Sequence, residues 1–134
     1  MRLDAYVNYR GVCEEAFHYY QKHLGGEING IVRHADIPNP NIPPDWKNKV
    51  LHAQMKIGNA VLMGADIPNA EPMRSAYLTL TLDRQEDAER VYAGLADGGE
   101  VFMKLEKTHF ANRFAMLRDR FGASWMLLHQ PKAF

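Results

Sequence analysis

The chain has 134 residues, of which 46% are hydrophobic and 24% are charged, so it is long enough to bury one core. Sixteen Lys and Arg residues balance sixteen Asp and Glu residues, which excludes a general electrostatic attraction to nucleic acid or to an anionic membrane. A single cysteine excludes an internal disulfide and a cysteine-based zinc cluster. Without an apolar leader or a long apolar run, we predict one cytoplasmic domain over residues 1–134.

The first half of the chain carries the pattern of a strand, a helix and three further strands. Leu3, Ala5 and Val7 alternate with polar residues, which is typical of a half-buried strand. Apolar residues at helical spacing then predict a helix with one apolar face, made of Val12, Ala16, Phe17, Tyr20 and Leu24. The later strands are predicted at residues 27–34, 50–57 and 60–64.

The second half repeats this order about 72 positions later. Glu14-Glu15-Ala16 is matched by Glu86-Asp87-Ala88, and Gly25-Gly26-Glu27 is matched by Gly98-Gly99-Glu100. Two copies of one supersecondary unit explain such ordered self-similarity. In the second copy a strand is predicted around residues 76–82, a helix with Ala88, Val91, Tyr92 and Leu95 on one face, and strands at 100–104, 112–118 and 124–129. We therefore predict an α+β fold of tandem β-α-β-β-β modules, module one at residues 1–66 and module two at residues 75–130, joined by linker 66–74.

Residues 34–49 have no counterpart in the second copy. This loop of sixteen residues contains Pro38, Pro40, Pro43 and Pro44. A connection of this length without secondary structure is typical of a functional lid, a partner contact or a disordered segment. We therefore expect any site built from both modules to be asymmetric.

Several short motifs occur in a fixed order along nearly the whole chain. They are Gly11-Val12-Cys13-Glu14-Glu15-Ala16-Phe17, Leu24-Gly25-Gly26, His52-Ala53, Leu62-Met63-Gly64-Ala65-Asp66, Gly98-Gly99-Glu100-Val101, Lys107-Thr108-His109-Phe110, and Arg118-Asp119-Arg120-Phe121-Gly122 with Trp125. Together they resemble the vicinal oxygen chelate (glyoxalase/bleomycin-resistance/dioxygenase) superfamily, and within it the PhnB-like branch. The resemblance implies two modules whose curled sheets enclose a central cleft, and a homodimer. Because the superfamily includes metal-dependent enzymes and metal-free binding proteins, the fold alone does not give the function.

The resemblance also implies where a metal would bind. Metal-dependent members place a ligand, usually His or Glu, on the first and last strands of each module. Matching helix and turn landmarks puts these positions at Tyr6, Met63, Tyr77 and Met126. A neutral phenol and a thioether are poor ligands for magnesium, manganese, nickel or zinc. We therefore predict no metal at these positions, and no cofactor, since the chain has no glycine-rich cofactor loop.

Strand parity selects the side chains that line the cleft. The predicted ligand-binding residues are Tyr6, Asn8, His52, Gln54, Met63, Tyr77, Thr79, Phe110 and Met126, with Phe114 and Trp125 nearby. Aromatic rings and thioethers among neutral hydrogen-bonding groups suit a small apolar or aromatic ligand. The alternative is that the same side chains fill the middle of the barrel and leave no room for a ligand.

Two hypotheses of function follow. The first is a metal-free protein that binds a small apolar or aromatic molecule. The second is a lyase, isomerase or dioxygenase with a non-standard site around His52, because histidine titrates near neutral pH, with Tyr6 or Tyr77 as proton donor. Whether any reaction is catalysed stays open. The expected partners are a second copy of the chain and a small molecule, with no nucleic acid and no membrane.

Other chemistry-bearing residues are interpreted as structural. Cys13 at the start of the first helix is interpreted as a packing residue, with a reactive thiolate as the alternative. The acidic pairs that begin both helices complement the helix dipole. Asp119 is interpreted as a turn residue. The basic residues of the second half are interpreted as solvated surface; they are Lys104, Lys107, Arg113, Arg118 and Arg120.

Overall fold

The computed structural model describes residues 1–132, and the chain divides into two compact units whose boundary lies between Glu71 and Pro72. Each unit has the order β-α-β-β-β, which confirms the predicted α+β fold of tandem modules. The first unit (unit 1) contains β1 (Ala5–Tyr9), α1 (Cys13–Leu24), β2 (Glu27–Arg33), β3 (Val50–Ile57) and β4 (Ala60–Asp66). The second unit (unit 2) contains β5 (Leu78–Leu82), α2 (Gln85–Ala96), β6 (Glu100–Glu106), β7 (Ala111–Arg118) and β8 (Ser124–Pro131).

The two sheets have the same topology. Their strand orders are β1-β4-β3-β2 and β5-β8-β7-β6. In each sheet the first strand lies parallel to the last, and the other pairs are antiparallel. A two-residue turn joins β3 to β4, since Ile57 pairs with Ala60 and Gly58 has a positive φ of 57°. No helix in residues 1–132 is long and apolar enough to span a bilayer.

Helix α1 packs directly on its sheet through a glycine. Its buried residues are Cys13, Ala16, Phe17 and Tyr20. A Cβ atom added to Gly64 on β4 would lie 3.0 Å from the Phe17 ring and 3.1 Å from the Cys13 sulfur. The close approach buries these side chains completely, and burial of a large one such as Phe17 stabilises the fold by about 1.5–3 kcal/mol. Two predicted members of the apolar face differ: Val12 precedes the helix and Leu24 is half-buried.

The first residues of both predicted first strands lie outside the observed strands. Leu3 precedes β1 and is exposed, although its alternation with polar residues predicted that it would cover the helix. Tyr77 likewise precedes β5. The alternation of apolar and polar residues therefore extends beyond the hydrogen-bonded ladder. Each first strand begins where its pairing with the last strand begins, at Ala5 and at Leu78.

Strand register corrects the assignment of equivalent positions in the two units. Tyr6 pairs with Met63 on β4, and the corresponding pair in unit 2 is Thr79 with Met126. Thr79, rather than Tyr77, is therefore the counterpart of Tyr6. The connection from the first strand to the helix has three residues in unit 1 and two in unit 2, so counting back from the helices does not give the register of the first strands.

The connection over residues 34–49 is neither structureless nor disordered. It forms two short turns of 3-10 helix, His34–Asp36 and Pro44–Trp46. The buried His34 places its Nε2 atom 2.9 Å from the carbonyl oxygen of Asp66. At the other end of the loop, the Lys49 ammonium donates to the Gly11 carbonyl oxygen over 2.9 Å. The first end of the loop therefore contacts the end of β4, and its second end contacts the segment that precedes α1.

The last strand of unit 1 ends in a buried carboxylate. Asp66 Oδ1 accepts the backbone N–H groups of Gly11 and Cys13 at 3.0 and 2.9 Å, and Oδ2 accepts that of Val50 at 2.9 Å. Burial of a charge requires such partners, because an unpaired buried carboxylate is costly. Asp66 thereby joins β4, the start of α1 and the start of β3, a role that the linker prediction of residues 66–74 missed.

Trp125 lies in the core of unit 2, and its predicted position near the ligand-binding residues is wrong. Its ladder partner is the fully buried Leu117, whereas the next residue, Met126, lies on the opposite face of β8. The indole Nε1 donates to Asp119 Oδ2 over 2.8 Å. Asp119 Oδ1 also accepts the N–H groups of Phe121 and Ala123, which confirms its interpretation as a turn residue.

Candidate functional site

Five of the predicted ligand-binding residues share one face of the sheet in unit 1. Tyr6, Met63 and Gln54 are successive ladder partners across β1, β4 and β3. Asn8 and His52 lie two residues from Tyr6 and Gln54 on their strands, and side chains two apart in a strand point to the same face. Gly64, which contacts α1, is the neighbour of Met63 and so faces the other way. We call this helix-free surface the open face of unit 1.

Tyr6 and His52 lie next to each other on the open face of unit 1. Their ring centroids are 5.8 Å apart with an interplanar angle of 38°, and Tyr6 is 51% exposed. Desolvation by burial, with a smaller contribution from Cys13, raises the pKa of Tyr6, so its phenol is protonated at neutral pH. His52 Nε2 lies 3.4 Å from Gln54 Oε1, a long hydrogen bond in which Nε2 donates if it carries the ring proton.

The helix-free surface of unit 2, which we call the open face of unit 2, is richer in sulfur. Thr79, Met126, Met116 and Met103 are successive ladder partners across the four strands. Phe114 pairs with Leu128 on the same face, and the Phe110 ring packs edge-on against Phe114 with centroids 4.9 Å apart. Three predicted residues, Thr79, Phe110 and Met126, are therefore placed on or beside this face.

An aromatic and basic cluster lies at one end of the open face of unit 2. The predicted residue Tyr77 packs edge-on against Phe102, with ring centroids 6.5 Å apart. The Arg118 guanidinium carbon lies 5.4 Å from the Phe102 ring centroid, within cation–π distance. Arg118 Nε also donates to the Met73 carbonyl oxygen over 3.1 Å. Phe102 was not among the predicted residues, and Arg118 was interpreted as solvated surface. Arg118 follows Met116 by two residues on β7, and this spacing indicates that both side chains lie on the same face.

The positions that correspond to metal ligands do not have a suitable donor set. Tyr6 and Met63 occupy them in unit 1, and Thr79 and Met126 occupy them in unit 2. A phenol, an alcohol and thioethers are poor donors for hard divalent cations. Across residues 1–132, no three His, Cys, Asp or Glu side chains form a group that could hold a metal ion.

The structure supports the interpretation of Cys13 as a packing residue. The side chain is fully buried, and its backbone N–H donates to Asp66 Oδ1. Burial, followed by the negative charges of Asp66 and Glu14, raises the pKa of the Cys13 thiol well above its ordinary value. Since the thiolate is the nucleophilic form, this thiol is inert at neutral pH.

A separate open pocket of about 390 Å³ lies at the start of α1. Its charged lining residues are Glu14, Glu15, His18, Lys49 and Asp66. Most of these charges already have partners within unit 1. The Glu14 carboxylate accepts hydrogen bonds from both terminal nitrogens of Arg33 at 2.9 Å, and the Lys49 ammonium donates to the Gly11 carbonyl oxygen. These contacts connect the loop over residues 34–49 to the helix and account for the polar lining.

Comparisons with known proteins agree with the fold and its motifs. The model of the Glyoxalase/Bleomycin resistance protein/Dioxygenase superfamily matches residues 2–127. The chain is 30% identical over 139 residues to protein YjdN of Escherichia coli (strain K12), covering 95% of this chain and 94% of that protein. Among solved structures, it is 36% identical to protein PA1353 from Pseudomonas aeruginosa, with a TM-score of 0.87 and coverage of 97% and 98%. A PhnB protein from Bacillus cereus has the same fold, with 24% identity, a TM-score of 0.80 and coverage of 96% and 99%. The chain therefore belongs to the Glyoxalase/Bleomycin resistance protein/Dioxygenase superfamily.

Proposed function

We propose that this protein binds a small apolar or aromatic molecule on its open faces. The observation that carries the proposal is the half-exposed Tyr6 ring, which lies against His52 beside Met63. The half-exposed Tyr6 ring lies on a helix-free face, where a ligand can contact it together with the neighbouring side chains. The exposure of Tyr6 favours ligand binding over the alternative in which these side chains only fill the fold.

The side chains on the open face of unit 1 favour a ligand that is neutral and planar. The Tyr6 and His52 rings offer edges and faces for stacking, and the Met63 thioether contacts aromatic rings favourably. Asn8 and Gln54 supply neutral donors and acceptors on the same face, and these can orient a ligand without a charge. The residues thus combine an apolar contact area with a few hydrogen-bonding groups, as small-molecule sites do.

The test is a titration of the whole protein with neutral naphthalene derivatives, followed by fluorescence. Replacing Tyr6 with Ala removes the exposed ring, and we expect the affinity to fall about tenfold, which corresponds to about 1.4 kcal/mol. Tyr19→Ala is the matched control, because Tyr19 stacks on His23 within α1, away from the open face. Absence of binding to the wild type, or equal losses in both variants, would contradict the proposal.

The contact between Tyr6 and His52 also supports a second candidate, a reaction catalysed around His52. The interaction with Gln54 Oε1 orients the imidazole, and the protonated Tyr6 phenol lies beside it as a proton donor. In this candidate His52 removes a proton from a bound substrate and Tyr6 protonates the product. Once a substrate is known, unchanged turnover in His52→Ala would rule this candidate out.

We also propose that the protein forms a homodimer, as the family resemblance implies. The edge strands of both sheets carry exposed apolar residues, which favours association with a second copy. They are Val32 on β2 and Val101 on β6. Light scattering of the purified protein should give twice the mass of the chain. A monomer at micromolar concentration would contradict this proposal.

A further inference from the structure

We propose that the ligand of unit 2 is an aromatic anion, whose carboxylate binds Arg118 and whose ring packs on Phe102 and Tyr77. The inference rests on the proposed function and adds a chemical class to it. It also assigns a binding role to Phe102 and Arg118, which are not among the predicted ligand-binding residues, together with Tyr77, which is.

Arg118 is a half-buried cation without a carboxylate partner. Across residues 1–132, no Asp or Glu oxygen forms an ion pair with its guanidinium. Glu100 is its ladder partner on β6, but the side chain of Glu100 is exposed and makes no ion pair with it. Desolvation of a charge without compensation is unfavourable, and an anionic ligand would supply the missing partner.

The guanidinium is already held in position. Its Nε atom donates to the Met73 carbonyl oxygen, and the same oxygen accepts the hydroxyl of Ser124, the ladder partner of Arg118 on β8. The Met73 N–H in turn donates to the Gly122 carbonyl oxygen over 2.8 Å. The two terminal Nη atoms make no hydrogen bond within residues 1–132. A guanidinium whose Nε atom is hydrogen-bonded and whose two Nη atoms are free is suited to bidentate carboxylate binding.

The rings beside Arg118 favour an aromatic ligand over a simple anion. Phe102 is 40% exposed and lies under the guanidinium, and Tyr77 meets Phe102 edge-on. A second aromatic ring can therefore extend the Phe102 stack while its carboxylate reaches the Nη atoms. Met116, two residues before Arg118, and its partner Met126 continue the same face with thioether groups. These groups extend the apolar contact area away from the charge.

The decisive experiment compares two ligands that differ only in charge. Calorimetric titration of the whole protein with 2-naphthoate and with 2-naphthamide keeps the ring constant. A charge-assisted bidentate contact predicts that naphthoate binds roughly tenfold or more tightly, and that this difference shrinks as salt is raised. Equal affinities would overturn the inference and leave the proposed function in place. If neither compound binds, both the inference and the proposed function fail.

Variants of the charged residues sharpen the comparison. Arg118→Met should lower naphthoate affinity to that of naphthamide and leave naphthamide affinity nearly unchanged. Arg113→Met is the matched control, because Arg113 lies on the same strand but on the opposite face, paired with His129. Glu100→Gln removes the negative charge of the ladder partner of Arg118 and should tighten naphthoate binding a few-fold. A naphthoate affinity that responds to Tyr6→Ala and not to Arg118→Met would place the ligand on unit 1 and overturn the inference.

Discussion

The two units share one topology but differ in chemistry where the ladder between the first and last strands ends, a position that we call the strand end. Asp66 pairs with Tyr9 at the end of β4, and the equivalent position in unit 2 is His129, which pairs with Leu82. The Asp66 carboxylate accepts three backbone N–H groups, whereas within residues 1–132 the His129 ring makes one hydrogen bond, between Nδ1 and the Leu82 carbonyl oxygen at 2.9 Å. One of these three groups, the Val50 N–H, lies at the end of the long loop of unit 1, whereas the corresponding connection of unit 2, residues 107–110, is shorter.

The open faces differ as well. In unit 1 the face combines Tyr6, His52 and amides, whereas in unit 2 it combines methionines with Arg118. The buried faces keep the same kind of apolar packing in both units. A repeated scaffold thus maintains its core while the exposed face and the strand ends diverge, which is how one fold supports unrelated sites.

The largest effect on the free energy of unfolding is expected from variants that remove the strand-end hydrogen bonds of each unit. Asp66→Ala leaves three backbone N–H groups without their acceptor and should lower the free energy of unfolding by about 3–5 kcal/mol. His129→Ala removes one contact and should cost about 1–2 kcal/mol. Urea unfolding followed by circular dichroism measures both. A larger loss for His129→Ala would show that the two strand ends do not differ as the hydrogen bonds indicate.

A smaller effect is expected where α1 packs on its sheet. Gly64→Ala introduces a Cβ 3.0 Å from the Phe17 ring and 3.1 Å from the Cys13 sulfur, and should destabilise the protein by about 1–3 kcal/mol. Gly30→Ala is the control, since a Cβ there meets no atom within 4 Å, and should be neutral or slightly stabilising. Thermal unfolding of both variants checks this, and equal changes in melting temperature would contradict it.

The smallest effect concerns the ion pair between Arg33 and Glu14, which connects the long loop to α1. Hydrogen bonding from Arg33 lowers the pKa of Glu14 below its usual value of 4.5. Both side chains are more than a third exposed, so Glu14→Gln should cost less than about 1 kcal/mol. Because the native pKa is the lower one, the contribution is present above pH 4.5 and is lost as the pH falls through the native value. Unfolding curves of wild type and variant should therefore converge in acid; a constant difference would contradict the prediction.

Part of the candidate site was predictable from local pattern. Parity along the strands correctly placed Tyr6, Asn8, His52, Gln54 and Met63 on one face, because successive side chains in a strand alternate between faces. Trp125 was predicted near these residues, but its parity with the buried Leu127 places it on the core face. Phe102 could not have been placed, since the ladder shifts register between Val101 and Met103.

The sequence by itself determined the order of the elements, the duplication and the core faces of the helices, because hydrophobic periodicity and helix-end glycines are local signals. Tertiary structure alone decided that Thr79 corresponds to Tyr6 and that Asp66 joins three segments of unit 1. It also decided that Arg118 lies over Phe102 without a carboxylate partner in residues 1–132. These facts depend on ladder register and on contacts between residues far apart in the chain, which no local pattern encodes.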